Sequence, residues 1–238
     1  MTMPEKLAVL AYHKVGEPPL GASSTWFYAS EATFTAQLSV LHDEGWAALD
    51  LPTFLRSLRQ PDARPDRSVL LTFDDGYRST TEVAKNVLQK FGFPAVVFVP
   101  TDLIGKTNRF DREVEPEEAI CDWADLRALE DAGISVESHG ASHRKFSELS
   151  AAERREELVR SKRELEAKLG RRVSAFAFPY GDSGSDGEST RRELAEAGYE
   201  VGFLYGGGPI SWPTDDFFQL PRIAVGADTD LRTELGAH

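Results

Sequence analysis

Two short segments hold most of the residues in this chain that could do chemistry. In Leu70-Leu71-Thr72-Phe73-Asp74-Asp75-Gly76-Tyr77 an apolar run ends in two adjacent carboxylates and a glycine. Adjacent acids repel each other, and the crowding is tolerable where a cation neutralises one and leaves the other as a base with a tuned pKa. Taken alone, the segment also reads as a solvated Asp-Gly turn. In Ser138-His139-Gly140-Ala141-Ser142-His143, two of the chain's 5 histidines stand four positions apart after a second apolar run. A helix would put both imidazoles on one face. Gly140 and the preceding run favour a turn instead, in which both rings can still converge on one ion. Taken alone, they also read as two exposed loop histidines.

Together the two segments supply an aspartate and two histidines from the ends of two apolar runs. Three protein ligands leave coordination positions open, and an open position is where a metal acidifies water; Asp74 is then the carboxylate placed to take the proton. A structural site would close its fourth position, and the single cysteine, Cys121, can form neither an internal disulfide nor a cysteine-based zinc site. Cys121 reads as structural or incidental. Of the remaining histidines, His13 ends the first apolar run, where a hydrogen-bonded core role is the ordinary reading. His42 falls among acidic residues on a helix and reads as solvated, and His238, the last residue, is too frayed for an ordered site.

The elements that must carry these groups are short apolar runs alternating with amphipathic stretches, the pattern of strands feeding helices around a largely parallel sheet. Strands are expected at residues 7–12, 68–72, 95–99, 134–137, 175–178, 201–204 and 220–225, and seven of them imply a barrel or a strongly curved sheet. Helices are expected at 33–44 with Ser30 as cap, at 51–59 with Pro52 at its start, and at 79–90. Asp122 caps another through Leu129, and Ser150 with Glu153 forms a capping box before a long charged run that Gly170 stops; Gly198 ends the next. Long loops at 101–122, 179–188 and 205–216 complete the chain, the first two placed after strand ends where α/β folds build their sites. Residues 1–238 read as one domain.

A chain with 41% hydrophobic and 28% charged residues has the makings of a folded, enzyme-sized body. Its net charge of −12, with lysine and arginine interspersed among glutamates, argues against a nucleic-acid partner. No run is long and apolar enough for a transmembrane helix, and residues 1–6 lack the features of a secretory signal. The chain as it stands reads as cytoplasmic, or as secreted or periplasmic if a signal has been removed. Oligomeric state is not legible.

The motifs resemble those of the polysaccharide deacetylases of carbohydrate esterase family 4, which share the NodB homology domain. The resemblance rests on Thr72-Phe73-Asp74-Asp75-Gly76, on His139-x-x-x-His143 and on Phe176-Ala177-Phe178-Pro179-Tyr180-Gly181, in the family's order and spanning nearly the whole chain. It implies a distorted (β/α) barrel of about seven parallel strands, and a divalent ion held by Asp75, His139 and His143. Zinc is the expected metal, although cobalt, nickel or iron suits the same donors. Asp74 maps to the catalytic base. Pro179 and Tyr180 map to the segment that meets the substrate, with the Tyr180 backbone N–H helping to hold the oxyanion.

Two departures from the family pattern need replacements. Ala177 stands where the third motif often has an arginine, and Arg222 is the candidate to orient the base in its stead; its other reading is an ordinary surface arginine. The usual late Leu-x-His is absent, and His13, in Tyr12-His13, is the candidate acid. This is similar to the branch that includes biofilm poly-N-acetylglucosamine deacetylases, where an early Tyr-His takes the place of the late motif. In a closed barrel the first and last strands are neighbours, so such an exchange can preserve a histidine's place in space. Trp26 and Trp212 are the candidates for packing against sugar rings, with Trp123 expected inside. The expected activity is metal-dependent removal of N-acetyl groups from an N-acetylated glycan. Alternatives are a deacylase of small N-acyl compounds, an acetylxylan esterase, or a non-catalytic, metal-containing glycan-binding module.

Overall fold

Alternation along the strands sets the architecture. A computed structural model describes residues 6–18, 27–61, 64–211, 214 and 216–236. The strands are β1 (Lys6–Tyr12), β2 (Lys14–Val15), β3 (Tyr28–Ala29), β4 (Ala47–Ala48), β5 (Arg67–Phe73), β6 (Ala95–Val99), β7 (Ile134–Ser138), β8 (Ala175–Ala177), β9 (Val201–Phe203) and β10 (Ile223–Ala224). The main sheet is entirely parallel in the order β10-β1-β5-β6-β7-β8-β9, with β4 paired to the start of β5, and it curls into a distorted barrel. Leu7, Val9, Leu70, Val96, Phe98, Ala177 and Phe203 fill one apolar cluster, the barrel interior. Their alternates Ala8, Leu10, Leu71, Val97 and Val136 face the helices in a second. Each fully buried Leu, Val or Phe contributes about 1.5–3 kcal/mol, so the two-sided pattern fixes the register strongly.

The helices are α1 (Glu31–Asp43), α2 (Leu51–Arg59), α3 (Arg78–Phe91), α4 (Trp123–Asp131), α5 (Ala151–Leu169), α6 (Gly187–Ala197) and α7 (Leu231–Glu234). Their ends follow the local signals: Ser30 and Asp50 accept from the N–H groups of Thr33 and Thr53, and Asp122 and Ser150 each form a full capping box. Gly170 and Gly198 close α5 and α6 in the left-handed conformation. Trp123 packs partly buried against the outer cluster, and Cys121 is fully buried beside Thr81.

One expected strand is shorter than its hydrophobic pattern suggests. Only Ile223–Ala224 of 220–225 forms a ladder, with β1. Pro221 has no N–H to donate, and the segment changes partner on either side of it: Leu220 exchanges hydrogen bonds with Gly202 and Leu204 beyond β9, whereas Ile223 and Ala224 lie beside Leu10 and Ala11. The segment thereby joins the two edges of the curled sheet and makes the first and last strands neighbours. The β2–β3 pair was not anticipated, two-residue strands being too short to show a period.

Candidate active site

The alternation that fills the barrel also aims the reactive groups. Leu70 faces the interior, so Thr72 and Asp74, two and four residues on, project the same way at the strand's C-terminal end. Leu220 also lines the interior, and so Arg222 points inward; it is 0% exposed. There its Nη1 and Nη2 donate to the two oxygens of Asp74 at 2.7 Å each, Nη1 also reaches Thr72 Oγ1 at 3.1 Å, and Nε donates to the carbonyl of Leu204 at 2.7 Å. The guanidinium also lies 5.6 Å from the Phe98 ring centroid, and Ala177 belongs to the same interior cluster as Phe98. Burial alone would raise the Asp74 carboxyl, but Arg222 foremost, and then His139, hold it below the ordinary value.

Past Asp74 the chain turns sharply. Asp75 has φ 69° and Gly76 φ 70°, and a side chain at 76 would place its Cβ 2.6 Å from Val99 Cγ1, so only glycine fits. The histidine turn follows β7, and α5 holds it: Glu157 accepts from the N–H groups of Ala141 and Ser142 at 2.7 and 2.8 Å and from the Ser142 hydroxyl at 2.6 Å. Among the described residues three non-glycine residues have positive φ, namely Asp75, His143 at 61° and Tyr180 at 58°. All three line one cavity of about 210 Å³. Such conformations persist only where the surroundings over-determine them, and here they coincide with the expected chemistry.

Asp75, His139 and His143 are buried, and one donor atom from each lies within 4.8 Å of the others. His139 Nδ1 meets the carbonyl of Ala177 at 2.8 Å. A carbonyl only accepts, so Nδ1 carries the proton and the neutral ring turns the lone pair of Nε2 toward Asp75 Oδ1, 3.4 Å away. His143 Nε2 stands 3.0 Å from the same oxygen. Despite these approaches Oδ1 is buried and receives no hydrogen bond. Two imidazole nitrogens gathered around a carboxylate oxygen, with a carbonyl fixing the tautomer of one ring, are what a divalent cation requires. Burial pushes Asp75 up and the imidazoles, His143 foremost, pull it well below the ordinary carboxylate range; His139 is depressed by burial but raised overall by Asp75 and Asp74. The carboxylates thus draw a positive charge, proton or metal ion, to this spot.

His13 directly follows β1, the strand beside β5, and brings Nε2 to 3.8 Å from Asp74 Oδ2. Burial lowers its pKa against the opposing pull of Asp74 and Asp75. Pro179, Tyr180 and Gly181 form a single 3-10 turn after β8, and the half-exposed Tyr180 ring meets His143 edge to face at 4.7 Å. Asp74, Asp75, His139, His143, His13, Tyr180 and Arg222 therefore converge, and the surface reading of Arg222 does not hold. Trp26 and Trp212 lie outside the described residues. His42 is exposed on α1, as expected.

The loop at 101–122 is the wall that residue types alone did not resolve. Bridges between Thr107 and Ala119 and between Tyr77 and Ile120 fold it back over the start of α3. Lys14 bonds Glu118 at 2.8 Å and Tyr28 at 3.0 Å, and Tyr77 donates to Asp111 at 2.5 Å, so the loop is tied down at its base. It lays Phe110 against His143, ring centroids 3.9 Å apart, and leaves Val114, 70% exposed, in the lining of the cavity. The contribution of Glu157 was equally hidden, because it resembles every other glutamate of a charged helix.

The chain belongs to the polysaccharide deacetylase family, whose sequence profile matches residues 62–202. It is 27% identical to YxkH of Bacillus subtilis over 222 residues, covering 93% of this chain and 72% of that protein. It is 23% identical over 205 residues to the poly-beta-1,6-N-acetyl-D-glucosamine N-deacetylase of Staphylococcus epidermidis, covering 85% of this chain and 69% of that one. Among solved structures, the deacetylase PplD of Streptococcus pyogenes, in complex with acetate, superposes with a TM-score of 0.83 at 23% identity over 98% of this chain and 99% of that one, and so shares its fold. No helix among the described residues is long and apolar enough to cross a membrane.

Proposed function

We propose that the chain is a metal-dependent hydrolase that removes N-acetyl groups from N-acetylglucosamine-containing glycans. The observation that carries the reading is the buried Asp75–His139–His143 cluster at the wall of a cavity, directly beside a carboxylate locked by Arg222. The similarity to a poly-N-acetylglucosamine deacetylase supports the choice of substrate class. Asp75, His139 and His143 would hold a divalent ion, zinc being the first candidate, and when bound it would supply the Lewis acidity that acidifies water and polarises an acetyl carbonyl.

The chain's own groups divide the remaining work. Asp74 accepts the proton of the attacking water: Arg222 keeps it ionised, and each carboxylate oxygen retains a lone pair after accepting from the guanidinium. The Tyr180 backbone N–H, in the strained turn, donates to the oxygen on which negative charge develops. His13 gives a proton to the departing nitrogen as the C–N bond breaks, leaving acetate and a free amino sugar. No activated serine or cysteine takes part, so water is the nucleophile. Pro179 and the Tyr180 ring border the bound sugar.

Acetate release tests this on chitin oligomers, poly-β-1,6-N-acetylglucosamine and acetylxylan, with metal content measured in the same samples. Release from an N-acetylated glucosamine polymer, lost on chelation and restored by a divalent ion, is expected. Asp74→Asn should lower turnover by about 10²–10⁴-fold while keeping its metal. Glycan binding with no acetate released at any metal would replace this reading with a binding module, and release from acetylxylan alone would replace the substrate class.

A further inference from the structure

His13 presents Nε2 to the reacting groups, but its other ring nitrogen, Nδ1, is buried and has no hydrogen-bond partner among the described residues. An imidazole that donates from one nitrogen is oriented through the other, so an unheld Nδ1 leaves the proton poorly aimed. A second buried group shares this condition. The hydroxyl of Tyr205, just beyond β9, is likewise without a partner, and the two rings touch edge to face with centroids 4.8 Å apart and planes at 81°.

Tyr205 is itself confined by the site. The Arg222 guanidinium lies 6.0 Å from its ring centroid. Gly181 packs so closely that an added Cβ would stand 2.7 Å from both Cβ and backbone N of Tyr205. One aromatic side chain thus abuts the residue that holds Asp74, the turn that carries Tyr180, and His13.

We propose that Tyr205 is a positioning residue for His13, its ring fixing the plane of the imidazole and its hydroxyl, which makes no bond to Nδ1 in this structure, closing on Nδ1 as Nε2 donates. A phenol suits this task because its oxygen accepts from Nδ1–H before and after the transfer, and being neutral it does not trap the proton as a carboxylate would. The inference rests on the acid role of His13 in the reaction proposed above.

Tyr205→Phe keeps the ring and removes the hydroxyl. Wild-type and variant proteins, metal content matched, would be assayed on an N-acetylglucosamine oligomer and on 4-nitrophenyl acetate, whose leaving group departs without protonation. Expected is a loss in kcat of about tenfold or more on the amide, part of the roughly 10²–10⁴-fold that a general acid supplies, and about twofold or less on the ester. In a His13→Ala background the same substitution should cost nothing further. Equal losses on both substrates, no loss on either, or a full additional loss in that background would overturn the positioning role alone. A wild-type protein that cleaves the ester and no amide would instead overturn the reaction assigned to the site, and this role with it.

Discussion

The barrel buries carboxylates in two places and treats them in opposite ways. Glu137 lies in register with Phe98 and so faces the interior, two residues before His139 on β7. It is fully buried, yet every demand it makes is met: Arg171 Nη1 donates at 2.8 Å to one oxygen, and the N–H groups of Ser174 and Ala175 donate at 2.8 Å to the other. Burial is the main influence on its pKa, which stays raised against the opposing pull of Arg171. At the mouth of the same barrel, Asp75 Oδ1 meets two imidazole nitrogens and no backbone N–H or guanidinium. Burial of an acid is therefore not what marks a site here. The mark is an oxygen whose neighbours are themselves electron-pair donors, since only a cation reconciles them.

The sharpest way to break this comparison is to exchange the two treatments. Asp75→Asn should empty the metal site and lower turnover by about 10³-fold or more, read by metal analysis and acetate release, whereas Glu137→Gln should leave both intact. If Glu137→Gln loses metal, the division between a satisfied and an unsatisfied carboxylate fails. Arg222→Met strands Asp74 as a buried, unpaired acid; a denaturation midpoint should report a loss of about 3–5 kcal/mol, and turnover should fall along with it. Glu137→Ala, which takes the acceptor from the buried Ser174 and Ala175 N–H groups and leaves Arg171 paired to Glu130, should cost about 3 kcal/mol in the same measurement, with turnover per folded molecule unchanged.

The smallest effect concerns a carboxylate outside the barrel. Glu153 is held by the backbone N–H of Ser150 first, then by the Ser150 hydroxyl and Arg144, which depress its carboxyl to about 2. A depressed acid contributes stability that is fully present above its ordinary value of 4.5 and is lost as pH falls through about 2. An NMR titration of the Glu153 side chain should place its midpoint there, and an unshifted midpoint would mean that the capping box does not hold in solution.

Much of the site was legible because its signals are local. The Asp-Asp-Gly at a strand end and the His-x-x-x-His after another named four side chains that do converge, and alternation placed seven strands that all occur, 220–225 alone being much shortened by Pro221. The helix caps at Ser30, Asp122 and Ser150 are legible from the residue types themselves, and at Ser150 also from Glu153 three positions on. Less was visible where partners are remote. The loop wall bearing Phe110 and Val114, and the clamp of Glu157 on the histidine turn, use residue types that are ordinary at their own positions.

Sequence by itself determined the donor types, their spacing and the order of strands and helices, because each follows from the chemistry of neighbouring residues and the period of the backbone. Tertiary structure decided which groups are paired. Arg222 reaches Asp74 across 148 positions only because the curled parallel sheet lays the last strand beside the first. It also decided that Glu137 is satisfied and Asp75 is not. Whether a buried oxygen finds a donor depends on where distant backbone N–H groups and side chains end up, and residue identity along the chain carries no record of that.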